Sequence, residues 1–164
     1  MKKEIFYPLI DIDKVVPIIN RISIFGGLND LQLYRIFGVL NSVYYKKDEI
    51  IFKQGDSPSN IYIINSGKVK LYFEKENEIF ELIEFGVGSC FGETALIGIQ
   101  PQSATAIATE DVELLIISKK ALMKLAKEDK DIFSRVILNI ARETCRRLSQ
   151  AENVELHYFL KKKK

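Results

Sequence analysis

Phe91-Gly92-Glu93-Thr94-Ala95-Leu96-Ile97-Gly98-Ile99-Gln100-Pro101-Gln102-Ser103-Ala104-Thr105-Ala106 is the stretch that decides the fold. Phe91 closes an alternating apolar-polar segment, and Gly92 lets the backbone turn without a Cβ clash. Glu93 to Ile97 can then form one short helical turn, which Pro101 stops before Ser103 to Ile107 resumes strand alternation. A glycine followed at once by a helix start presents unpaired backbone N–H groups to one point in space. Those donors and the helix dipole both favour negative charge, so the corner suits an anion. The plainer reading is a strand-to-helix corner whose first-turn carboxylate, Glu93, complements the helix dipole.

Outward from this corner, residues 43 to 118 read as short strands separated by turn signals. Val43–Tyr45 and Ile50–Phe52 flank the charged turn Lys46-Lys47-Asp48-Glu49, and Gln54-Gly55-Asp56-Ser57-Pro58 is a turn cluster. Ile61 to Ile64 is an apolar run. Asn65-Ser66-Gly67-Lys68 is expected to make a hairpin turn into Val69–Phe73. Phe80–Ile83, Thr105–Thr109 and Val112–Ile117 complete a set that fits an antiparallel jelly-roll barrel. Gly55, Gly67 and Gly88 are expected at positive φ at the barrel corners. Leu82 and Phe85 are read as core residues, with walling of a ligand pocket as the other possibility.

The flanks are helical. Residues 1–42 form an N-terminal segment interrupted by Pro8 and Pro17, in which Asn29 caps a helix from Asp30 to Leu40. Residues 119–164 begin with a helix capped by Ser118, followed by a long helix from Asp129 or Asp131 to about Phe159. Phe133, Val136, Ile137, Ile140, Ala141, Thr144, Leu148 and Ala151 form its apolar stripe, with Arg135, Arg142, Glu143, Arg146 and Glu152 on other faces. Such a helix outruns a small barrel, so its later turns call for a partner, and a homodimer through the C-terminal helix is the economical arrangement. The fold class is therefore α+β: an antiparallel jelly-roll barrel (43–118) with N-terminal helices and a long C-terminal helix.

The sixteen residues at the corner resemble the phosphate-binding cassette of the cyclic nucleotide-binding domain family, found in catabolite-activator-type regulators, kinase regulatory subunits and gated channels. The match rests on Phe91-Gly92-Glu93, Ala95-Leu96, Pro101 and Ser103-Ala104-Thr105, with the kinase-subunit loop length between them. Phe25-Gly26-Gly27-Leu28 followed by Gln32-Leu33, the Gly55-Asp56 turn and the Ile63-to-Gly67 corner extend the resemblance over about residues 22 to 150. It implies that Glu93 accepts a hydrogen bond from a ribose 2′-hydroxyl. The N–H groups around Gly92, Thr94 and Ala95 would face the cyclic phosphate, with help from the Ser103 hydroxyl and the Ala104 N–H. cAMP and cGMP are the candidate ligands. The same helix in DNA-binding members leads into a helix-turn-helix; none is expected between this helix and Lys164, and Arg146-Arg147 alone is no recognition helix. Asn153, near the place where such a helix meets the purine, could hydrogen-bond a base.

Gln102 departs from the family pattern, which has an arginine there. A charge-assisted hydrogen bond contributes about 1.5–3 kcal/mol against about 1 for a neutral one. A phosphate partly buried without its cation costs a further 3–5 kcal/mol or so. Weak binding, by about two orders of magnitude or more, is the implication, unless a cation such as Lys68 or Lys70 reaches the pocket. Two functions follow. One is a stand-alone sensor of a cyclic nucleotide or related phosphorylated small molecule that signals through the C-terminal helix to a partner protein or second protomer. The other is a degenerate barrel that binds no nucleotide and serves for dimerisation or docking.

Composition excludes other classes. The 164 residues are 47% hydrophobic and 28% charged, ordinary values for a globular chain. The net charge of +2 includes Lys161 to Lys164, so residues 1–160 balance at −2, which makes no general case for nucleic-acid binding. The terminal lysine run is read as a solvated end, or as a tether to an acidic partner. No apolar run reaches the roughly 20 residues of a membrane span, and Met1-Lys2-Lys3-Glu4 opens no signal peptide; the expectation is cytoplasmic. Cys90 and Cys145, both read as core or near-core thiols, and a single His157 provide neither a zinc site nor a Cys-His nucleophile, so no enzyme, metal or resident cofactor is expected.

Overall fold

The structure, a computed structural model, describes residues 7–8, 18–19, 21–76 and 78–161, the side chains of 7–8 and 152–161 excepted. Strands β1 (Tyr7–Pro8), β2 (Asn41–Tyr45), β3 (Ile50–Phe52), β4 (Asn60–Ser66), β5 (Val69–Lys75), β6 (Glu78–Phe85), β7 (Cys90–Phe91), β8 (Thr105–Ala108) and β9 (Val112–Ser118) build two antiparallel sheets. One runs β1-β2-β9-β4-β7 and the other β3-β8-β5-β6. Helices α1 (Asp30–Phe37), α2 (Glu93–Gly98), α3 (Lys119–Glu128) and α4 (Lys130–Lys161) and a 3-10 turn (Ser23–Phe25) complete the described elements.

Two layers of core explain the strand sequences. Tyr62 and Ile64 of β4, with Val112, Leu114 and Ile116 of β9, point between the sheets, where they meet Val43, Phe52, Val69, Phe85, Phe91 and Ala106. The alternate residues Ile61, Ile63, Leu115 and Ile117 point outward under the helices, against Ile24, Phe25, Ile36, Leu122, Ile132, Val136 and Ile140. Burial on both faces is why β4 and β9 read as continuous apolar runs rather than alternating ones.

The jelly-roll reading is correct, with local corrections. Asn65-Ser66-Gly67-Lys68 is not a hairpin turn: β4 and β5 belong to different sheets, and the chain crosses between layers here. Gly67 makes that crossing at φ +81, where an added Cβ would sit 2.3 Å from the Asp111 carbonyl oxygen. The expected positive φ of Gly55 and Gly88 is also found. Among the described strands only β5 and β6 form a long hairpin, paired from Val69↔Phe85 to Lys75↔Glu78. The N-terminal segment is not purely helical, since Tyr7–Pro8 pairs with Ser42–Asn41 at the edge of the first sheet, a place that tolerates proline. Pro17 and Lys162–Lys164 lie outside the described residues, as do the side chains of Glu152, Asn153, His157 and Lys161.

Caps set the helix ends. Asn29 accepts from the Gln32 N–H while the Gln32 side chain accepts from the Asn29 N–H, a reciprocal capping box that starts α1. The helix ends at Phe37, before the expected Leu40, with Gly38 as its C-cap. Ser118 accepts from Ala121 N–H at the start of α3, and Asp129 accepts from Ile132 N–H at the start of α4. Helix α4 runs 32 residues, about 48 Å at 1.5 Å per residue. Its barrel-facing side carries Ile132, Val136, Asn139, Ile140 and Glu143. Asn139 Nδ2 donates to the carbonyls of Ile24 (3.2 Å) and Gly26 (2.8 Å), clamping the 3-10 turn to the helix. The early part of the sequence stripe lies on the barrel as expected, with Val136 and Ile140 buried and Phe133 and Ile137 packed beside them, and the later Ala141 and Leu148 are exposed; Glu143, read as outer, is buried instead. Cys145, read as near-core, is exposed as well.

Candidate functional site

Strand β7 pairs with the middle of β4 (Tyr62↔Phe91, Ile63↔Cys90), which anchors the corner that follows to the centre of the first sheet. Phe91 stacks on Tyr62 with ring centroids 5.1 Å apart and lies 6.2 Å from a nearly parallel Phe85. Gly92 then turns the chain at φ +80 and ψ −7 into α2. A Cβ there would lie 3.0 Å from both the Asn60 carbonyl oxygen and the Tyr62 ring, so the corner is closed to side chains on steric as well as conformational grounds. No side chain caps α2. Its first N–H groups lack acceptors within the helix. The turn ends at Gly98, with Ile99 in the left-handed region at φ 52, so the stop comes before Pro101.

Of the expected site residues, Gly92, Glu93, Ala95, Gln102 and Ala104 are buried, while Thr94 and Ser103 face solvent. Glu93 is only 1% exposed and Gln102 6%. The second half of the segment is pinned by the loop after β3: Gln102 N–H donates to Asp56 O (2.9 Å) and Gly55 N–H to Gln102 O (2.8 Å). The Thr105 hydroxyl oxygen accepts from Gln54 N–H (3.0 Å), and the Gln54 side chain accepts from Glu74 N–H (3.0 Å). One loop thus ties residues 102–105 to the β5–β6 hairpin.

A residue to which the sequence reading gave no role at the corner dominates its electrostatics. Arg147 of α4 places Nη1 2.8 Å from Glu93 Oε1, Nε 3.2 Å from Glu143 Oε1 and Nη2 2.6 Å from the Cys90 carbonyl oxygen. Its guanidinium also lies 4.7 Å from the Phe85 ring centroid, a cation–π geometry. Burial pushes the Glu93 carboxyl above the usual carboxylate range, Arg147 pulls it back, and nearby Glu143 pushes it up again. Arg146 completes the group at 2.7 Å from Glu143 Oε2. Two carboxylates and two guanidinium groups therefore meet at the corner with no net charge between them. The only sequence signal was Glu143 four residues before Arg147, a helix pair spacing that leaves the third partner unspecified.

Lys68 and Lys70, considered as substitute cations, do not serve the corner. Lys68 pairs with Glu84 (3.8 Å) and Glu110 (3.4 Å), and Lys70 with Glu81 (2.8 Å), on the exposed side of the hairpin. Phe85 is core as expected, but Leu82 is 53% exposed, as is the rest of β6 before Phe85 at the edge of its sheet, and the register shift between Leu71 and Tyr72 leaves it unpaired. The face shared with Val69 and Phe85 carries Leu71 opposite Ile83 and Phe73 opposite Phe80, the last two stacked at 4.9 Å. Beyond the barrel this face is only partly covered, so it offers an apolar wall. Among the described residues no group of three or more His, Cys, Asp and Glu could hold a metal. Burial pushes the Cys90 thiol up to about 12, which removes it as a nucleophile. No described helix is long and apolar enough to cross a membrane.

Residues 42–129 match the family model described as the cyclic nucleotide-binding domain. Over 115 residues the chain is 31% identical to a cGMP-dependent protein kinase of Caenorhabditis briggsae, covering 68% of this chain and 15% of the kinase. Over 117 residues it is 29% identical to a cAMP-dependent protein kinase regulatory subunit of Mucor circinelloides, covering 71% of this chain and 27% of that protein. The chain thus spans well under half the length of these relatives. Among solved structures, a cyclic nucleotide-binding domain from Methylobacillus flagellatus superposes with a TM-score of 0.81 at 19% identity, covering 93% of this chain and 87% of the other.

Proposed function

Because the chain belongs to the cyclic nucleotide-binding domain family, we propose that it is a regulatory sensing module rather than an enzyme, taking cAMP, cGMP or a related phosphorylated small molecule at the corner after Phe91. The phosphate faces the uncapped N–H groups of Gly92 to Ala95, helped by Gln102, Ser103 and Ala104, while the base lies along the apolar wall of Leu71, Phe73, Phe80 and Ile83. The observation that carries the reading is the buried Glu93 carboxylate, set at an uncapped helix start and already joined to α4 through Arg147. A ribose 2′-hydroxyl donating to Glu93 Oε2, the oxygen that Arg147 leaves without a partner, changes the carboxylate on which Arg147 rests. Ligand therefore shifts the preferred position of α4, which needs only two helix positions of unequal ligand affinity.

Signal output runs through the outer face of α4, where Leu138, Ala141, Cys145 and Leu148 are exposed at alternating steps of three and four. That seam fits a homodimer, or a partner protein's helix, at a cytoplasmic location. Calorimetric titration with cAMP and cGMP tests the sensing reading: binding that weakens at least tenfold or so in Glu93→Ala supports it. No heat and no thermal shift at millimolar nucleotide removes it.

One observation favours a second reading, a degenerate barrel used for docking or dimerisation. The charges of Glu93, Glu143, Arg146 and Arg147 cancel, and Gln102 adds none, so nothing there offsets a buried phosphate. Gln102→Arg separates the two: it strengthens nucleotide binding if the pocket is intact and changes nothing if the pocket is lost.

A further inference from the structure

A second concavity lies on the helical side, away from the corner after Phe91. It has a volume of about 500 Å³ and is formed where the turn after α1 meets α3. Its floor is apolar, made by Val39, Ala121 and Met123, and its rim carries Lys120, Lys124 and Lys127. The three lysines recur at steps of four and three, so they line one side of α3. The rim's negative group is Glu128, 3.8 Å from Lys124 in an exposed i,i+4 pair worth little. Met123 is 47% exposed, although it belongs to a helix whose two leucines, Leu122 and Leu125, are buried.

Lys127 in the last turn suits the dipole of α3 and Lys124 pairs with Glu128, but the charge at the start of the helix is not explained in this way. Lys119 and Lys120 occupy its first turn, which has no acidic residue, and positive charge there opposes the helix dipole. Across its ten residues α3 carries Lys119, Lys120, Lys124 and Lys127 against Glu128 alone, in a chain that is otherwise close to balance. A local choice that costs helix stability without a compensating contact inside the fold points to a contact outside it.

We propose that this groove docks an acidic amphipathic segment of a partner protein, its apolar side chains on Val39, Ala121 and Met123 and its carboxylates against Lys120, Lys124 and Lys127. Charge complementarity selects the partner's sign. The recessed floor selects a segment with protruding side chains, in the manner of a helix laid in a groove, over a lipid surface, which needs apolar groups that project from the protein. A second copy of this helix would bring lysine against lysine and is disfavoured. The floor is also mechanically connected to the long helix: Val39 and Ala121 pack on the core cluster that contains Ile132, Val136 and Ile140 of α4. An occupant would therefore rest on the base of the helix that leaves the barrel. The inference does not depend on the corner binding a nucleotide.

The test is a fluorescence-anisotropy titration of the full chain with a labelled dodecapeptide repeating Glu-Glu-Leu-Leu. Its Lys-Lys-Leu-Leu counterpart and vesicles of phosphatidylserine and phosphatidylcholine serve as the other arms. The expected result is saturable binding of the acidic peptide, weakened by salt, and reduced at least about tenfold by combined Lys120→Glu, Lys124→Glu and Lys127→Glu. Met123→Asp, which leaves the lysines in place, should weaken it as well, and the Met123 methyl resonance should move on binding. These exposed positions should leave the circular dichroism spectrum and any nucleotide affinity unchanged. Absence of acidic-peptide binding at millimolar concentration, equal binding of the basic peptide, indifference to charge reversal, or binding to vesicles alone would each overturn the proposal.

Discussion

Arg147 and Glu93 are 54 residues apart in the chain, yet their side chains meet at 2.8 Å, joining the long C-terminal helix to the corner after Phe91. Glu93 is essentially inaccessible and Arg147 about a quarter exposed, so the pair is largely out of water. A carboxylate so placed depends on its partner, since burial alone drives it toward the protonated form.

Arg147→Ala should therefore destabilise the protein by about 3 kcal/mol or more, because it strands a buried charge. The double variant Glu93→Gln with Arg147→Met removes both charges and should regain most of that loss. Urea denaturation of the three proteins measures both. A single variant as stable as the parent would show that the contact is dispensable.

The two glycine corners should differ in their tolerance of a methyl group. Gly67→Ala and Gly92→Ala both pay about 1–2 kcal/mol for a left-handed backbone. At Gly67 the new Cβ also meets backbone, 2.3 Å from the Asp111 oxygen, whereas at Gly92 the nearest atoms are 3.0 Å away and include a Tyr62 ring that can shift. Gly67→Ala should be the more damaging, by a lower thermal midpoint; the reverse order would contradict the described crossing between sheets.

Stability should decline in acid in part through Asp129. The backbone N–H of Ile132 and the Arg35 guanidinium hold its carboxyl below the usual carboxylate range. A depressed carboxylate contributes its stability fully above about pH 4, the unfolded value, and loses it as pH falls through the lower folded value. Asp129→Asn keeps a side-chain acceptor for the helix start but does not titrate. Its melting temperature should fall less steeply between about pH 5 and pH 2 than the parent's. Asp111, held down by Lys46, leaves a residual acid dependence in both.

Thiol labelling should distinguish the two cysteines. Cys145 is exposed on α4, whereas Cys90 is buried with its thiol pushed up to about 12. A disulfide reagent at mildly alkaline pH should modify Cys145 rapidly in the native protein and reach Cys90 only after denaturant is added. Cysteine-to-serine variants assign the signals. Rapid native labelling of Cys90 would mean that α4 does not stay on the corner.

Several elements were legible before any coordinates because their causes are local. Asn29 and Ser118 announce helix starts by side-chain oxygens that reach the next turn. Gly92 followed by Glu93 announces a strand turning into a helix, and Gly55, Gly67 and Gly88 announce positive φ. The strands from Val43 to Ser118 declared themselves by short apolar runs between turn residues. What failed did so where two distant segments decide one residue's surroundings. Asn65 to Lys68 has hairpin chemistry, but whether strands on either side of a turn pair depends on which sheet each joins. Leu82 has core chemistry, but its strand ends up at the edge of its sheet, exposed from Glu78 to Glu84.

The same division holds for the candidate site. Sequence alone determined that this chain folds as a jelly roll of the cyclic nucleotide-binding type and that its corner carries Glu93 and Gln102, because glycine positions, strand periods and fixed spacings are written in neighbouring residues. Only the tertiary structure decided what the Glu93 carboxylate meets and that Glu143 shares the barrel-facing side of the last helix with Val136 and Ile140. Arg147 and Glu143 are ordinary surface residues on an isolated helix. Packing α4 against β7 and α2 brings them to a carboxylate that burial has stripped of water, and ion pairing under those conditions depends on the packed geometry, which no local pattern encodes.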